Sequence, residues 1–252
     1  MRLACLGSGS KGNATLVDTG DGYILVDCGL SARETGARMA ELDLSLADIR
    51  AILVTHEHAD HIAGVAAVAS KTGASVYATR GTSRKVKVDC HIIQPEKEFC
   101  LQGSAIKIKP VAVPHDAREP VQFTFSLDNL KVGILTDLGS ITPHVVEEFS
   151  GCQSLLVEAN HCEELLSNGP YPAALKRRIL GSWGHLSNSQ TMDFLQKILL
   201  SDEAPTNLII GHISKENNSI ERVEESFGDL TSKFKSLIFA SQDRIVPWTA
   251  QI

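Results

Sequence analysis

No C-x-x-C pair occurs in this chain, although its 252 residues include six cysteines: Cys5, Cys28, Cys90, Cys100, Cys152 and Cys162. Without paired spacing, they are expected to be buried thiols in a reducing compartment rather than metal ligands or disulfides. No apolar run approaches the roughly 20 residues that a membrane-spanning helix needs. The opening Met1-Arg2-Leu3-Ala4-Cys5 enters a strand-and-turn pattern directly, without the apolar stretch of a signal peptide. A cytoplasmic location with no membrane partner is therefore expected. Repeats, low-complexity tracts and linkers are missing, so a single domain over residues 1–252 is expected. A basic balance is missing too: Lys and Arg number 24 against 30 Asp and Glu, for a net charge of −6. Bulk charge thus gives no support for a nucleic-acid partner, while a local basic patch stays compatible. What is present is a 43% hydrophobic fraction, enough for a packed core.

The chain alternates short apolar runs with turn and helix signals. Arg2–Leu6 reads as a strand, followed by Gly7-Ser8-Gly9-Ser10-Lys11-Gly12-Asn13. Ala14–Asp18 and Tyr23–Asp27 read as strands around a turn at Asp21-Gly22, since Gly tolerates positive φ. Ser31 is the expected N-cap of a helix over Ala32–Leu42. Ala51–Val54 is a buried strand, Ile62–Ser70 a small-residue helix, and Ser75–Thr79 a further strand. Ala105–Val113 alternates apolar and polar residues, as a half-buried strand does. Val121–Leu127 and Lys131–Leu135 form a hairpin around Asp128-Asn129. Ser154–Val157 and Leu208–Ile210 are apolar strands. Ser187 or Asn188 caps a helix reaching about Leu200, Ser219 caps one reaching about Lys235, and Leu237–Ala240 closes the chain.

Chemistry concentrates in His56-Glu57-His58-Ala59-Asp60-His61, which leaves the end of the Ala51–Val54 strand. Neutral imidazole and carboxylate are the usual ligands of zinc and its first-row neighbours. Three of the nine histidines and an aspartate fall within six residues. Further strands end in His115, Asp137 and His212, and strand-end loops are where a sheet presents functional groups. A lone histidine is more often structural, but the whole set at strand ends points to a metal centre able to hold two ions. Asp27 also ends a strand, where it either caps a turn or orients the metal loop from behind. For Gly7–Asn13 two readings stay open: a plain turn, or a backbone cradle for a phosphate aided by Ser8, Ser10, Lys11 and Asn13, without Walker spacing. Between Arg80 and Lys109 cations outnumber acids, which fits either a solvated surface or a basic rim for a polyanion. His91 and His144 have no such context and read as surface or packing residues.

His56-x-His58-x-Asp60-His61, preceded by Val54-Thr55, resembles the metal signature of metallo-β-lactamase-fold hydrolases, and His115, Asp137 and His212 follow in that family's order. Asp27, in Leu25-Val26-Asp27-Cys28-Gly29, is similar to its early strand-end aspartate. The resemblance implies an α/β (α+β) fold, a four-layer αββα sandwich of two mixed sheets flanked by helices, with a dinuclear site at one edge. It implies that His56, His58 and His115 hold one divalent ion, that Asp60, His61 and His212 hold another, and that Asp137 bridges them. A hydroxide between the ions would be the nucleophile. The ligand set has no thiolate, so zinc is the first expectation, with manganese or iron also suited.

Within that family, fold alone does not give the substrate. The stretch from Asp137 to His212 is too short for the inserted domain of β-CASP nucleases, and few residues follow His212 to form the helical domain of glyoxalase II-like enzymes. Leu6–Asn13, Leu156-Val157-Glu158-Ala159-Asn160-His161, Gly184-His185-Leu186-Ser187-Asn188 and His212–Asn218 resemble the compact YycJ/WalJ-like branch. Cys162 departs from the pattern, since an acid is expected there. This resemblance implies a phosphodiesterase acting on nucleic acid, DNA first, as a 5′-to-3′ exonuclease. His185 and His161 are candidate proton donors beside the catalytic Asp60, Glu158 is a candidate acceptor behind the ligands, and Asn160 and Ser187 are candidate phosphate contacts. Two alternatives are a thioester or ester hydrolase using the same hydroxide, and a non-catalytic metal-binding regulatory protein.

Overall fold

The fold is described from a computed structural model that covers residues 1–20, 22–201 and 204–252. Two mixed sheets face each other. The first holds β1 (Arg2–Gly7), β2 (Ala14–Asp18), β3 (Tyr23–Val26), β4 (Ile49–Leu53), β5 (Ser75–Thr79) and β6 (Cys90–Ile93), in sequence order across the sheet. The second holds β7 (Phe99–Cys100), β8 (Lys107–Ala112), β9 (Val121–Leu127), β10 (Leu130–Leu135), β11 (Ser154–Glu158), β12 (Asn207–Gly211) and β13 (Ser236–Phe239), again as sequence neighbours. The helices outside them are α1 (Ala32–Ala40), α2 (Ala59–Ile62), α3 (Val65–Thr72), α4 (Arg80–Ser83), α5 (Pro143–Phe149), α6 (Glu163–Asn168), α7 (Ala173–Leu180), α8 (Asn188–Ser201) and α9 (Ile220–Phe227). None of the described helices is long and apolar enough to cross a membrane.

The layers follow from strand periodicity. Along β11, Leu156 faces the other sheet while Leu155 and Val157 face helices, so every position is buried. A strand covered on both faces reads as a continuous apolar run. Between the sheets, Leu3, Val26 and Leu53 meet Phe123, Phe125 and Ile209. Outside the first sheet, Leu25 and Ile52 pack on Met39 of α1 and Val68 of α3. Outside the second, Leu135 and Val157 pack on Phe149 of α5, Phe194 of α8 and Val223 of α9. Each such side chain contributes about 1.5–3 kcal/mol on burial. These three apolar layers between four layers of structure make the αββα sandwich and leave one polar edge free for chemistry. The outer edge of β1 is covered by the C-terminal segment: Cys5 and Val246 exchange backbone hydrogen bonds of 3.1 and 2.8 Å.

The caps at Ser31 and Ser219 form, with their hydroxyls accepting from Glu34 N at 3.2 Å and Arg222 N at 3.3 Å. The expected helix over Ile62–Ser70 is instead two pieces, α2 and α3. Gly64 N–H donates to Cys28 O at 2.7 Å, which draws the chain against the loop after β3 and breaks the helix there. The helix expected to reach Lys235 stops at Phe227, because Gly228 takes a left-handed φ of 50° and a 3-10 turn follows. β6, β7, α4 and α5 lack strong periodicity in the sequence and were not expected. At the first hairpin Thr19 N–H donates to Gly22 O at 3.1 Å; Asp21 of the expected turn lies outside the described residues.

Candidate metal centre

Strand direction brings the site together. β4 runs parallel to β3, and β8, β10, β11 and β12 all run one way in the second sheet. Their C-terminal ends therefore meet at one edge of the sandwich. Asp27 follows β3, the His56–His61 loop follows β4, His115 follows β8, Asp137 follows β10, Glu158 ends β11 and His212 follows β12. Three of these, Asp27, Asp137 and His212, have left-handed φ angles of 58°, 51° and 52°. Non-glycine residues adopt that conformation rarely and at some cost in strain. Here it turns each side chain sharply off its strand end.

Two trios result. The ligand-type atoms of His56, His58 and His115 all lie within 4.8 Å of one another, and so do those of Asp60, His61 and His212. In the first trio His58 Nδ1 is 3.1 Å from His56 Nε2 and 3.3 Å from His115 Nε2. In the second, Asp60 Oδ2 is 3.6 Å from His61 Nε2 and 3.9 Å from His212 Nε2. Asp137 stands between, with Oδ2 at 3.2 Å from His61 Nε2 and Oδ1 at 3.3 Å from His212 Nδ1.

The far nitrogen of each buried imidazole is held from behind, which fixes which nitrogen faces the cluster. His115 Nδ1–H donates to Gly184 O at 3.0 Å, His61 Nδ1–H to Asp27 Oδ2 at 2.8 Å, and His212 Nδ1–H to Glu158 Oε2 at 3.1 Å. The Thr55 hydroxyl donates to Asp27 Oδ2 at 2.8 Å and so accepts from His56 Nδ1–H at 2.9 Å. Each Nε2 is thereby turned toward the centre. Glu158 is fully buried and accepts four hydrogen bonds: Oε1 from Leu138 N and Leu186 N, Oε2 from His185 Nδ1 and His212 Nδ1.

Burial lowers the pKa of His56 well below its usual value and lowers that of His115, so both are neutral at pH 7. Burial opposes the charged form of His61 and His212 as well, but carboxylates outweigh it there. Asp137 and Asp27 hold the pKa of His61 well above normal, and Asp137 with Glu158 raises that of His212 to about 9. Burial likewise pushes the Glu158 carboxyl up, yet His185 and His212 bring it down to about 2. Asp137, facing His212 and His61, is held well below the carboxylate range against the same burial. The centre thus carries ionised, buried carboxylates. Asp137 Oδ2 has no hydrogen bond of acceptable geometry. A buried carboxylate oxygen without a donor, ringed by imidazole nitrogens, fits a cation between the trios.

The cluster opens into a cleft of about 530 Å³ bordered by His58, Asp60, Asp137, His185 and His212, and further out by Ser10, Lys11, Asn160, Arg178 and Lys215. Several sequence candidates sit elsewhere. The Ser8 hydroxyl accepts from His212 N at 2.6 Å and does not border the cleft. Asn13 accepts from Gly9 N at 2.8 Å and turns its amide toward His61 Nε2 at 3.1 Å. Ser187 is buried and caps α8 in a reciprocal pair with Gln190, its hydroxyl accepting from Gln190 N and its N–H donating to Gln190 Oε1. His161 is buried behind the cleft, its Nδ1 without a hydrogen bond and its pKa lowered by burial to about 4. Asn160 donates to His212 O at 3.0 Å. None of the cations between Arg80 and Lys109 borders the cleft. His91 stacks on Tyr77, and His144 lies 3.0 Å from Glu96, both away from the centre.

Sequence reasoning missed Asp116 and Arg178. Asp116 Oδ1 lies 3.5 Å from His115 Nε2 and 3.8 Å from His58 Nε2, and its other oxygen pairs with Arg178. Its place directly after His115 at a strand end was the available signal.

The chain matches the model of the β-lactamase superfamily domain over residues 23–213. It is 33% identical to an exodeoxyribonuclease YycJ of Bacillus anthracis over 227 residues, covering 88% of this chain and 85% of the relative. It is 35% identical to an exodeoxyribonuclease WalJ of Streptococcus pneumoniae, covering 86% and 83%. Its fold resembles that of the metallo-β-lactamase fold protein YhfI from Bacillus subtilis, with a TM-score of 0.70, 14% identity and coverage of 97% and 98%. With that model matched over most of its length, relatives a third identical across it, and two mixed sheets flanked by helices, the chain belongs to the β-lactamase superfamily, as a metallo-β-lactamase-fold protein of the YycJ/WalJ type.

Proposed function

We propose that this protein is a dinuclear metal-dependent phosphodiesterase that degrades DNA from an end, with 5′-to-3′ polarity as the direction to test. The observation that carries the reading is Asp137 Oδ2, buried without a donor between two ligand trios at the floor of an open cleft. The names of the similar exodeoxyribonucleases support the choice of DNA. His56, His58 and His115 would hold one ion, Asp60, His61 and His212 the other, and Asp137 both. This imidazole-rich set without thiolate suits zinc first and also manganese or iron. When bound, such a pair of ions lowers the pKa of water from 15.7 to about 7 and stabilises charge on the attacking and leaving oxygens.

The remaining residues position and protonate. Glu158 orients His212 and His185 through one oxygen, at 3.1 and 3.2 Å. With Nδ1 engaged, His185 Nε2 is the atom that can hand a proton to the departing alkoxide. His161 lies behind the cleft and is left a structural role. Lys11 brings positive charge to a cleft in a chain of net charge −6 and draws the substrate's phosphates toward it, while Lys215, also on the rim, pairs with Asp243. The described cysteines are all free thiols, which fits a cytoplasmic setting.

The test is a panel of duplex DNA, single-stranded DNA, RNA, a bis-aryl phosphate and an acyl thioester, offered to wild type and His58→Ala, with metal content measured on the same samples. The reading requires chelator-sensitive DNA cleavage by wild type and its loss in the variant. Turnover of the thioester alone would replace it with an ester hydrolase, and full metal occupancy without turnover would replace it with a binding protein.

A further inference from the structure

Between α7 and the buried Leu186 runs a short loop, Ser182-Trp183-Gly184. Three consecutive carbonyls of this loop are each held by a different partner. Ser140 Oγ donates to Ser182 O at 3.1 Å, Asp116 N to Trp183 O at 2.9 Å, and His115 Nδ1 to Gly184 O at 3.0 Å. His185 N–H closes the loop onto Ile179 O at 3.0 Å. Gly139 packs directly beneath: a Cβ there would lie 2.3 Å from Gly184 N and 2.6 Å from the carbonyl carbons of Ser182 and Trp183. The backbone under Trp183 is therefore a fixed pedestal.

On that pedestal Trp183 is 60% exposed. The other tryptophan, Trp248, stacks on Tyr23 and lies under Arg2. Single exposed apolar side chains are ordinary on protein surfaces. Trp183 differs in its setting. It stands two residues before His185, and its neighbour Gly184 borders the cleft. Leu180, three residues before Trp183, is 49% exposed, and α7 buries none of its residues. The same helix carries Lys176, Arg177 and Arg178 in a chain of net charge −6; Arg178 pairs with Asp116, Lys176 donates to Ser167 O at 2.7 Å, and Arg177 is exposed. An exposed indole on a rigid base next to clustered cations matches single-stranded nucleic-acid surfaces, where bases stack on aromatics and cations follow the backbone.

The cleft size adds an independent constraint. A space of about 530 Å³ suits a ligand on the scale of a nucleotide or two, not a double helix. A strand entering it must part from its partner at the mouth. We propose that Trp183 is the stacking platform for the terminal base of a DNA end, and that Arg177, exposed on the side of α7 away from Leu175, Arg178 and Ile179, holds the phosphate backbone outside the cleft. This rests on the nuclease reading above. An aromatic wedge at that point offsets part of the cost of unstacking.

The test uses the metal-loaded protein and its Trp183→Ala, Trp183→Phe and Arg177→Ala variants. Binding is measured with a phosphorothioate duplex that resists cleavage, and turnover with duplex DNA and a bis-aryl phosphate. Stacking contributes about 1–3 kcal/mol per base, so Trp183→Ala should weaken DNA binding by about 5- to 150-fold. It should raise the KM for DNA more than it changes kcat, and lower the ratio of DNA to bis-aryl phosphate turnover. Trp183→Phe should restore most of the binding, and Arg177→Ala should flatten the salt dependence by about one charge. Unchanged binding by Trp183→Ala, failure of Trp183→Phe to rescue, or an equal loss on both substrates would overturn the platform while leaving the nuclease reading intact. A wild type that neither binds nor cleaves DNA would overturn both.

Discussion

His61 Nδ1 lies 2.8 Å from Asp27 Oδ2, and this contact turns His61 Nε2 toward Asp60 and Asp137. Asp27 also accepts from Thr55 N at 2.9 Å and from the Thr55 hydroxyl, which itself orients His56. One buried carboxylate thus aims an imidazole of each trio. Asp27→Asn should fold, because Asn tolerates the left-handed backbone at this position. It should bind metal about 10- to 100-fold more weakly, the usual effect of losing such a support. A competitive chelator titration measures this, and wild-type affinity would refute the role.

Glu158 ties two buried amides, Leu138 N and Leu186 N, to the centre at 2.9 and 3.1 Å. Glu158→Ala leaves both without an acceptor, at about 1–3 kcal/mol for each buried group. Urea unfolding should show a loss of roughly 2–6 kcal/mol. Glu158→Gln keeps one carbonyl oxygen for those amides and should lose clearly less. Equal stability of the two variants would contradict the assignment.

The two trios should differ in their proton traffic. His56 and His115 have lowered pKa values and are already neutral at pH 7. His212 is raised to about 9. In the metal-free protein its proton stabilises the fold fully below its unfolded pKa of about 6.5. That stabilisation is lost as pH rises from about 6.5 through about 9. Metal must displace this proton, so affinity for the second equivalent should climb over the same window. Calorimetry in buffers of different ionisation enthalpy should register more proton release with the second equivalent at pH 7.5 than at pH 9.5, since His212 gives up its proton across that interval. Equal release at both would contradict this charge distribution.

Gly29 allows the loop after β3 to touch the metal loop. A Cβ there would lie 1.8 Å from Asp60 O. Gly29→Ala must push Asp60 and His61 away from His212. A displacement on the order of 1 Å costs about 100-fold in rate, so kcat should fall by about that factor together with the melting temperature. An unimpaired variant would show that the loop's placement is not critical.

Much of this was legible from sequence because the central strands are buried on both faces. β4, β11 and β12 carry unbroken apolar runs at Ala51–Leu53, Leu155–Val157 and Leu208–Ile210, β10 ends in Ile134-Leu135, and the residues that follow stand out against such a background. Contiguous spacing does the same for His56–His61. The rest depended on tertiary contacts. Ser8 and Asn13 lie in a glycine-rich loop that suggests a phosphate cradle, yet their polar atoms are taken by His212 N and by Gly9 N. Ser187 reads equally as a phosphate contact or a helix cap until Gln190 is seen reciprocating. The left-handed turns at Asp27, Asp137 and His212 leave no sequence signature, since none is glycine. Asp116 and Arg178 meet across 62 positions, a pairing no local pattern reveals.

The most direct test strips the protein of metal and measures hydrolysis of end-labelled duplex DNA as zinc or manganese is returned in fractions of an equivalent. Activity should be absent without metal, rise to a plateau near two equivalents, and stay absent in His58→Ala at any loading. DNA hydrolysis that survives chelation, or a wild-type rate from His58→Ala, would contradict the account.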